Sequence, residues 1–473
     1  MATDRGAPEE RGVNRPPEGR FTPFLGERIA LVGLGKAGLP AARRLAAWGA
    51  EVTCWDDREE GRIAASEAGL AVEDPARGAF RWDALLLSPG IPHRLPRAHP
   101  AAAAAAAAGR PVLCDVDYLY RAVRAAGSAA RFTGITGTNG KSTTTALLHH
   151  LLHAAGREAE AGGNLGPAAL SLNILGTDGV YTLEMSSYML ERIQSLRFNQ
   201  GVMLNLSPDH LDRHGDMHGY LDAKAQVFAR QTPDDLAVLG MDDAWSAGLR
   251  RRIVARPCPI SGETRQPGGI WAEGRLLRDD DGAILDLDEA PALPGSHNAQ
   301  NAAAAAACAL DLGLTRAEVA AGLRGYPGLP HRQERVGAWR GVAFVNDSKG
   351  TNTDSTARAL ASYPRVVWIA GGTAKEGGIE SLAPFFPRIA EALLIGRDAP
   401  VLAATLAAHG VRHRVVGTLD VAVAEAAASA AAGAAPVVLL SPACASWDQF
   451  TGFEQRGERF RALVAALPEG RAA

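Results

Sequence analysis

The sequence predicts an α/β protein of three domains with mainly parallel sheets, and three observations carry that reading. The chain has 473 residues, which at roughly 150 residues per domain is too long for one core and suits three. Short apolar runs alternate with stretches of helical spacing from residue 28 onward, the pattern of βαβ units. That pattern restarts at RFTGIT (131–136) and again after YPGLPHR (326–332), whose two prolines and glycine read as a linker. The restarts divide the chain into expected domains at 21–118, 119–327 and 328–473.

Residues 1–20 mix four acidic and four basic side chains with Pro and Gly and offer little to bury, so they read as a disordered leader. RIALVG (28–33), an alanine-rich helix and EVTCWDD (51–57) make a β-α-β start. ALLLSPG (84–90) and RPVLCDV (110–116) are further strands, and the alanine tract 101–108 between them is a helix of high propensity. In the centre, RFTGIT is a strand, and TTTALLHHLLHAAG is a helix that Gly156 ends. VYTLEMSS (180–187) and QGVMLNL (200–206) read as buried strands, and 297–313 as a long helix of small residues. The last domain strings GVAFVNDSKG, RVVWIAGG, EALLIG, HRVVG and APVVLLSP between helical or turn sequence.

Hydrophobic residues make up 47% and charged residues 21%, and 49 basic against 52 acidic side chains leave a formal charge of −3. Nothing here attracts nucleic acid or an anionic membrane, so small molecules are the expected partners. The alanine tract is the longest apolar run and falls far short of a membrane span, and no signal-peptide pattern opens the chain. A cytoplasmic location and a monomer are the expectations. Cys54, Cys114, Cys258, Cys308 and Cys444 are scattered without C-x-x-C spacing and read as reduced, buried thiols.

GITGTNGKSTTT (134–145) follows a strand and opens a helix, the context in which backbone N–H groups and a helix N-terminus cradle phosphate. Lys141 reaches the terminal phosphates and Ser142 offers its hydroxyl to Mg²⁺ in such a loop. Ile135 stands where the strict G-x-x-x-x-G-K-[ST] pattern has its first glycine. GLGKAG (33–38) also satisfies G-x-G-x-x-G after a strand, with Asp56 near the place of a ribose-binding acid. NAD or a nucleotide-sugar diphosphate would fit that turn equally well.

Glu184 ends an apolar strand, and SPDHLDRHGDMHGYLDAK (207–224) gathers acids, histidines and Lys224 just past another. Glu184 suits magnesium, and His210 is a softer second ligand. His214 and His218, four apart, read as solvated helix-face histidines. Asn298 and Asn301 share a helical face, either for an adenine edge or phosphates or as caps. In the last domain, Lys349 and Lys375 with hydroxyls from Thr351 and Ser446 are what a dicarboxylate substrate needs.

Together these residues resemble the Mur ligases from about residue 28 to 462, and SPACASWDQFTGFEQRGERF (441–460) is similar to the D-glutamate-adding branch. The resemblance implies a Rossmann-like UDP-binding domain, a central P-loop ATPase-like domain and a Rossmann-like C-terminal domain. It implies ATP-dependent joining of D-glutamate to UDP-N-acetylmuramoyl-L-alanine through an acyl phosphate, for peptidoglycan synthesis. Gly35, Lys36, Ala37, Asp56, Asp57, Arg58, Ser88, Pro89, Gly90 and Asn164 match UDP-sugar contacts. Gly137, Thr138, Asn139, Gly140, Lys141, Ser142, Thr143, Asn298, Asn301, Arg332 and Asp347 match ATP contacts. Lys349, Thr351, Lys375, Ser446 and Phe453 match the D-glutamate site. Ser142, Glu184, His210 and Lys224, the last as a CO₂-derived carbamate, match the holders of two Mg²⁺ ions. Met189 departs from the polar residue usual in relatives. Sibling ligases, folate-type polyglutamate synthases and an NAD-dependent dehydrogenase or regulator are the competing readings.

Overall fold

A computed structural model describes residues 21–375 and 377–468, so the expected leader lies outside the described residues. The chain divides into two compact units. The first holds residues up to Ser261, with Gln266–Ile270 and Ala304–Val319; the second holds Gly262–Arg265, Trp271–Ala303 and the chain from Ala320 onward.

The first unit contains two sheets. In the earlier one, β1 (Arg28–Val32), β2 (Glu51–Trp55), β3 (Ala71–Val72), β4 (Ala84–Leu87) and β5 (Val112–Leu113) lie in the order β3-β2-β1-β4-β5, all parallel. The strand expected at 110–116 is only two residues long, because Asp115 and Asp117 place acids at the start of the helix Asp115–Ala125, where the macrodipole favours them. That helix runs through residue 118 and buries Val116, Tyr118, Leu119, Ala122 and Val123 in one apolar cluster with Ile29, Leu31, Phe132 and Leu183.

The second sheet of this unit orders β6 (Arg131–Thr136), β7 (Ala159–Gly163), β8 (Val180–Glu184), β9 (Gln200–Met203), β10 (Leu236–Gly240) and β11 (Arg256–Ser261) as β7-β8-β6-β9-β10-β11, again all parallel. The two middle strands expected from the sequence end early, at Glu184 and Met203. Register places Ile135 beside both Glu184 and Val202, so the loops after β6, β8 and β9 leave the sheet at one carboxyl edge. Ligands of open α/β sheets bind at that edge. Three short strands, β12 (Ile270–Glu273), β13 (Leu276–Asp279) and β14 (Gly282–Asp286), follow as an antiparallel meander.

In the second unit, β15 (Glu334–Trp339), β16 (Val342–Asn346), β17 (Val366–Gly371), β18 (Ile389–Ile395), β19 (His413–Gly417) and β20 (Val437–Leu440) take the order β15-β16-β20-β17-β18-β19. Five strands are parallel, and β15 adds antiparallel to β16. Strands β17 and β20 are buried throughout, as continuous apolar runs covered on both faces must be. Trp368, Leu394 and Leu439 fill one face, and Phe344, Ile369 and Leu440 the other. No helix among the described residues is long and apolar enough to cross a membrane.

Candidate active site

The loop at 137–142 departs from β6 and enters the helix Lys141–Ala154. Ile135 is fully buried inside β6. Because the strand continues to Thr136, the position that lacks glycine is strand interior, where an apolar side chain packs and no turn is needed. The loop is braced by the chain after β9. Thr138 N–H donates to the Asn205 carbonyl (2.9 Å), Asn139 N–H to Asn205 Oδ1 (2.9 Å) and Ser207 N–H to Thr138 Oγ1 (3.0 Å). Lys141 Nζ curls back onto the carbonyls of Gly137 (2.9 Å) and Thr138 (2.8 Å).

Lys224, on the helix Met217–Ala225, meets the same loop. Its side chain is 2% exposed, and its Nζ donates to Gly137 O (2.8 Å) and Thr136 Oγ1 (3.3 Å). Burial, followed by the charge of Lys141, holds this amine well below the ordinary lysine range. Glu184 sits at the end of β8, with Oε1 accepting from Asn164 Nδ2 (2.6 Å). Its Oε2 is buried with no hydrogen-bond partner. A buried carboxylate oxygen without a donor is the type of ligand a magnesium ion requires. Asn164 is seated by its own N–H, which donates to the Glu184 carbonyl (2.9 Å).

His210 has left-handed backbone (φ 53°) at the start of Leu211–His214, and its ring lies 5.1 Å from that of Tyr188. Such a conformation in a residue with a Cβ is retained where the surroundings impose it, and it recurs at functional sites. His218 is exposed and edges Trp245. His214 overturns the expectation of a solvated side chain. Its ring lies near those of Tyr188 and Tyr220, Nδ1 is 2.6 Å from Glu191 Oε1, and Nε2 is 2.9 Å from Ser187 Oγ. Met189 is 2% exposed and belongs to the apolar core, so the departure there replaces a polar contact with packing.

The glycine turn at 33–38 packs tightly: a Cβ on Gly38 would fall 1.9 Å from the Gly33 carbonyl. Asp56 is buried, and its oxygens accept from the N–H groups of Leu34 (2.7 Å) and Arg58 (2.9 Å). Burial opposes the charge, but these bonds outweigh it and leave the Asp56 carboxyl below its usual range. One oxygen therefore braces the glycine turn at Leu34 and the other the backbone at Arg58. Lys36, Gly35 and Gly90 are exposed, and Ala37, Ser88 and Pro89 half-buried. Asp57 lies 3.2 Å from His99, and the Arg58 guanidinium 3.5 Å from Asp56.

In the second unit, Asp347, Lys349 and Thr351 follow β16, Lys375 follows β17, Ser446 follows β20, and Phe453 opens the helix Phe453–Ala465. Asp347 accepts from Ser441 Oγ (2.6 Å) and Gln333 N–H (3.2 Å), yet burial pushes its carboxyl up to about 7. Lys349 Nζ stands 3.7 Å from the centroid of the Phe453 ring, a cation–π contact. Thr351 follows two residues on, just before the Asn352 cap of the helix Thr353–Ala361. Thr373, two residues before Lys375, exchanges backbone bonds with Ala445 (2.8 and 2.9 Å), next to buried Ser446. Arg332 is half-buried beside buried His331. Asn301 Nδ2 donates to Asn298 Oδ1 (3.0 Å), and Asn298 Nδ2 to the Pro294 carbonyl (2.8 Å), so the two amides form a chain that ends on the turn before the helix.

Comparison with known proteins gives the family. The model of the Mur ligase middle domain matches residues 135–309, and that of the Mur ligase glutamate ligase domain matches 331–444. The UDP-N-acetylmuramoylalanine–D-glutamate ligase of Paramagnetospirillum magneticum is 49% identical over 455 residues, 95% of this chain and 98% of the relative. That of Caulobacter vibrioides is 47% identical over 459 residues, 94% and 97% of the two chains. This chain belongs to the Mur ligase family. Among solved Mur ligases, UDP-N-acetylmuramate-alanine ligase MurC from Thermotoga maritima superposes with a TM-score of 0.58 at 17% identity, over 93% of this chain and all of the other. MurF from Acinetobacter baumannii gives 0.57 at 18% identity over 74% and 81%. Both likenesses speak to the fold: a Mur ligase is built of three α/β domains.

Several residues of this Mur ligase escaped the motif reading. Arg192 is 1% exposed and donates to the carbonyls of Leu87 (2.9 Å), Ser88 (3.1 Å) and Ile91 (2.6 Å), while Arg213 donates to that of Gly90 (3.1 Å). Arg456 ties the carbonyls of Ser348 (2.9 Å) and Cys444 (3.2 Å) beneath the last loops. Most of their partners are backbone carbonyls in other loops, which no local motif announces.

Proposed function

We propose that this Mur ligase joins D-glutamate to UDP-N-acetylmuramoyl-L-alanine at the expense of ATP, as a cytoplasmic monomer serving peptidoglycan synthesis. The observation that carries the reading is the convergence of two lysines, Lys141 and Lys224, on the Gly137 carbonyl of a phosphate loop. An anionic ligand, loss of the Lys224 proton, or conversion of that amine to an anion relieves this pairing of cations.

Lys141 serves the terminal phosphates of ATP, and the N–H groups of the 137–143 loop cradle them. The sugar-linked L-alanine carboxylate attacks the γ-phosphate, giving an acyl phosphate and ADP. The amine of D-glutamate then adds to the acyl carbon, and phosphate leaves. Ser142, Glu184, His210 and Lys224, carbamylated by CO₂, are the residues suited to hold two magnesium ions. The ions, when bound, supply neutralisation of charge on the transferring phosphoryl group. Burial of Lys224 away from any carboxylate hydrogen-bond partner supports the carbamate, since a neutral amine is the form that adds to CO₂.

The turn of Gly35 to Ala37, with Asp56 to Arg58, Ser88 to Gly90 and Asn164, is assigned to the UDP-sugar. Asn298, Asn301, Arg332 and Asp347 are assigned to the nucleotide. Lys349, Thr351, Lys375, Ser446 and Phe453 are assigned to D-glutamate, whose two carboxylates match two ammonium groups. The domain limits 21–118, 119–327 and 328–473 are part of the same proposal.

The test is phosphate release with UDP-N-acetylmuramoyl-L-alanine and with D- or L-glutamate separately. Release is expected only with the sugar and D-glutamate together, and Lys375→Ala is expected to raise the KM for glutamate at least roughly tenfold with the KM for ATP little changed. An unchanged glutamate constant would refute the site.

A further inference from the structure

A network of side chains between the sugar turn and the metal segment has no part in the scheme above. Glu191 follows the short helix Ser187–Leu190 after β8. Its Oε1 takes His214 Nδ1 at 2.6 Å and its Oε2 lies 3.4 Å from His93 Nε2. His93 is three residues past Gly90, and His214 lies between His210 and Lys224 in the chain. Burial, with the charge of Arg192, holds His93 down to about 4, so it is a neutral imidazole. Arg192 Nε donates to its Nδ1 (3.4 Å), which leaves Nε2 to carry the proton toward Glu191. The remaining Arg192 nitrogens grip three carbonyls of the turn, and Arg213 holds a fourth while its guanidinium lies 4.2 Å from the Tyr188 centroid.

We propose that Glu191, gripping His93 on one side and His214 on the other, with Arg192 and Arg213 on the turn, is a positioning clamp that fixes the spacing between the Ser88–Gly90 turn and the 207–224 segment. The clamp rests on the assignment of that turn to the UDP-sugar and of that segment to the metal side. Its consequence is reciprocal: loosening one end disturbs the ligand held at the other. The acceptor carboxylate must reach the γ-phosphate in line, and a misplacement of about 1 Å costs on the order of 100-fold.

The full-length enzyme, His93→Ala, His214→Ala and the double variant are compared for the KM of the UDP-sugar and for the Mg²⁺ concentration at half-maximal rate. His93→Ala, on the sugar side, is expected to raise the Mg²⁺ requirement at least about threefold, and His214→Ala to raise the sugar KM by a similar factor. The double variant is expected to fall short of the product of the two, as residues sharing one partner do. The KM for glutamate stays put. Glu191→Gln, which keeps the volume, reproduces both cross effects with thermal unfolding close to that of the parent. Effects confined to each variant's own side, multiplying in the double variant, overturn the clamp; if an alanine variant fails to fold, glutamine at the same position replaces it. If Lys224→Ala and Ser88→Ala both leave ligation intact, the functional reading beneath the clamp falls, and the clamp with it.

Discussion

At the scale of residues, the site is a set of charges held against their solvation preference. Lys224 is the sharpest case, a buried amine bonded to a hydroxyl and a carbonyl. Lys224→Ala is expected to lower kcat by roughly 10²–10³-fold, the range for losing one preorganised electrostatic group, and formate or acetate to restore part of the rate by occupying the carbamate's place. Full activity in the alanine variant would remove the carbamate from the scheme. Asp347 is the opposite case, an acid that burial raises to about 7. The folded protein keeps that proton up to about pH 7, whereas the unfolded chain releases it near 4. The folded state therefore binds more protons between these values, and stability falls as pH rises through them, then levels off. Asp347→Asn carries no such cost. It is expected to gain about 1–3 kcal/mol over the parent at pH 8, with the gain shrinking toward pH 4, while losing ligase activity. Thermal unfolding across that range decides it; a gain that does not vary with pH would contradict the burial argument.

At the scale of elements, the turns after the strands set the site, and Gly163 shows how. Its φ is +92°, and a Cβ there would lie 2.5 Å from the Glu184 carbonyl oxygen, the acceptor of the Asn164 N–H. Gly163→Ala is expected to push Asn164 away from Glu184 and lower kcat by about 10–100-fold. Gly69 also has a left-handed φ, of +74°, but nothing within 4 Å of its added Cβ. Gly69→Ala is thus expected to cost about 1–2 kcal/mol of strain and no activity; equal kinetic losses in both variants would refute the steric reading. The same elements mark how far sequence carried the fold. β1, β17 and β20 were legible because nearly unbroken apolar runs leave few alternatives, and β6 because the glycine-rich loop and helix that follow mark its end. The meander at 270–286 was not, since Glu273, Arg278 and Asp279 interrupt its short strands. Nor was β7, whose AEAGG holds no large apolar residue. At the candidate site, the strand, loop and helix around 137–142 were legible because the demand of such a loop for small residues is local. His214 was misjudged because its partners Glu191 and Ser187 lie in a different element, and Arg192, Arg213 and Arg456 were missed because carbonyl partners leave no mark on composition.

At the scale of the whole molecule, stability comes from burial without covalent cross-links. Apolar clusters fill the faces of the sheets, and none of the five cysteines is in a disulfide. Cys54, Cys114, Cys308 and Cys444 are buried, and Cys258 is partly exposed in β11. Burial pushes the thiols of Cys54 and Cys444 up to about 12 and those of Cys114 and Cys308 well above their ordinary value. Reaction with a disulfide reagent needs both thiolate and access, so each of these four is doubly shielded in the native state. Native protein at pH 8 is therefore expected to react rapidly at Cys258 alone, with the other four thiols released only on unfolding in denaturant. The rate of that slow phase then reports opening of the cores, fastest where a thiol lies in the least stable of them. Rapid reaction of several thiols in the native protein, or a melting temperature that drops on adding reductant, would mean that the cores are not closed as described.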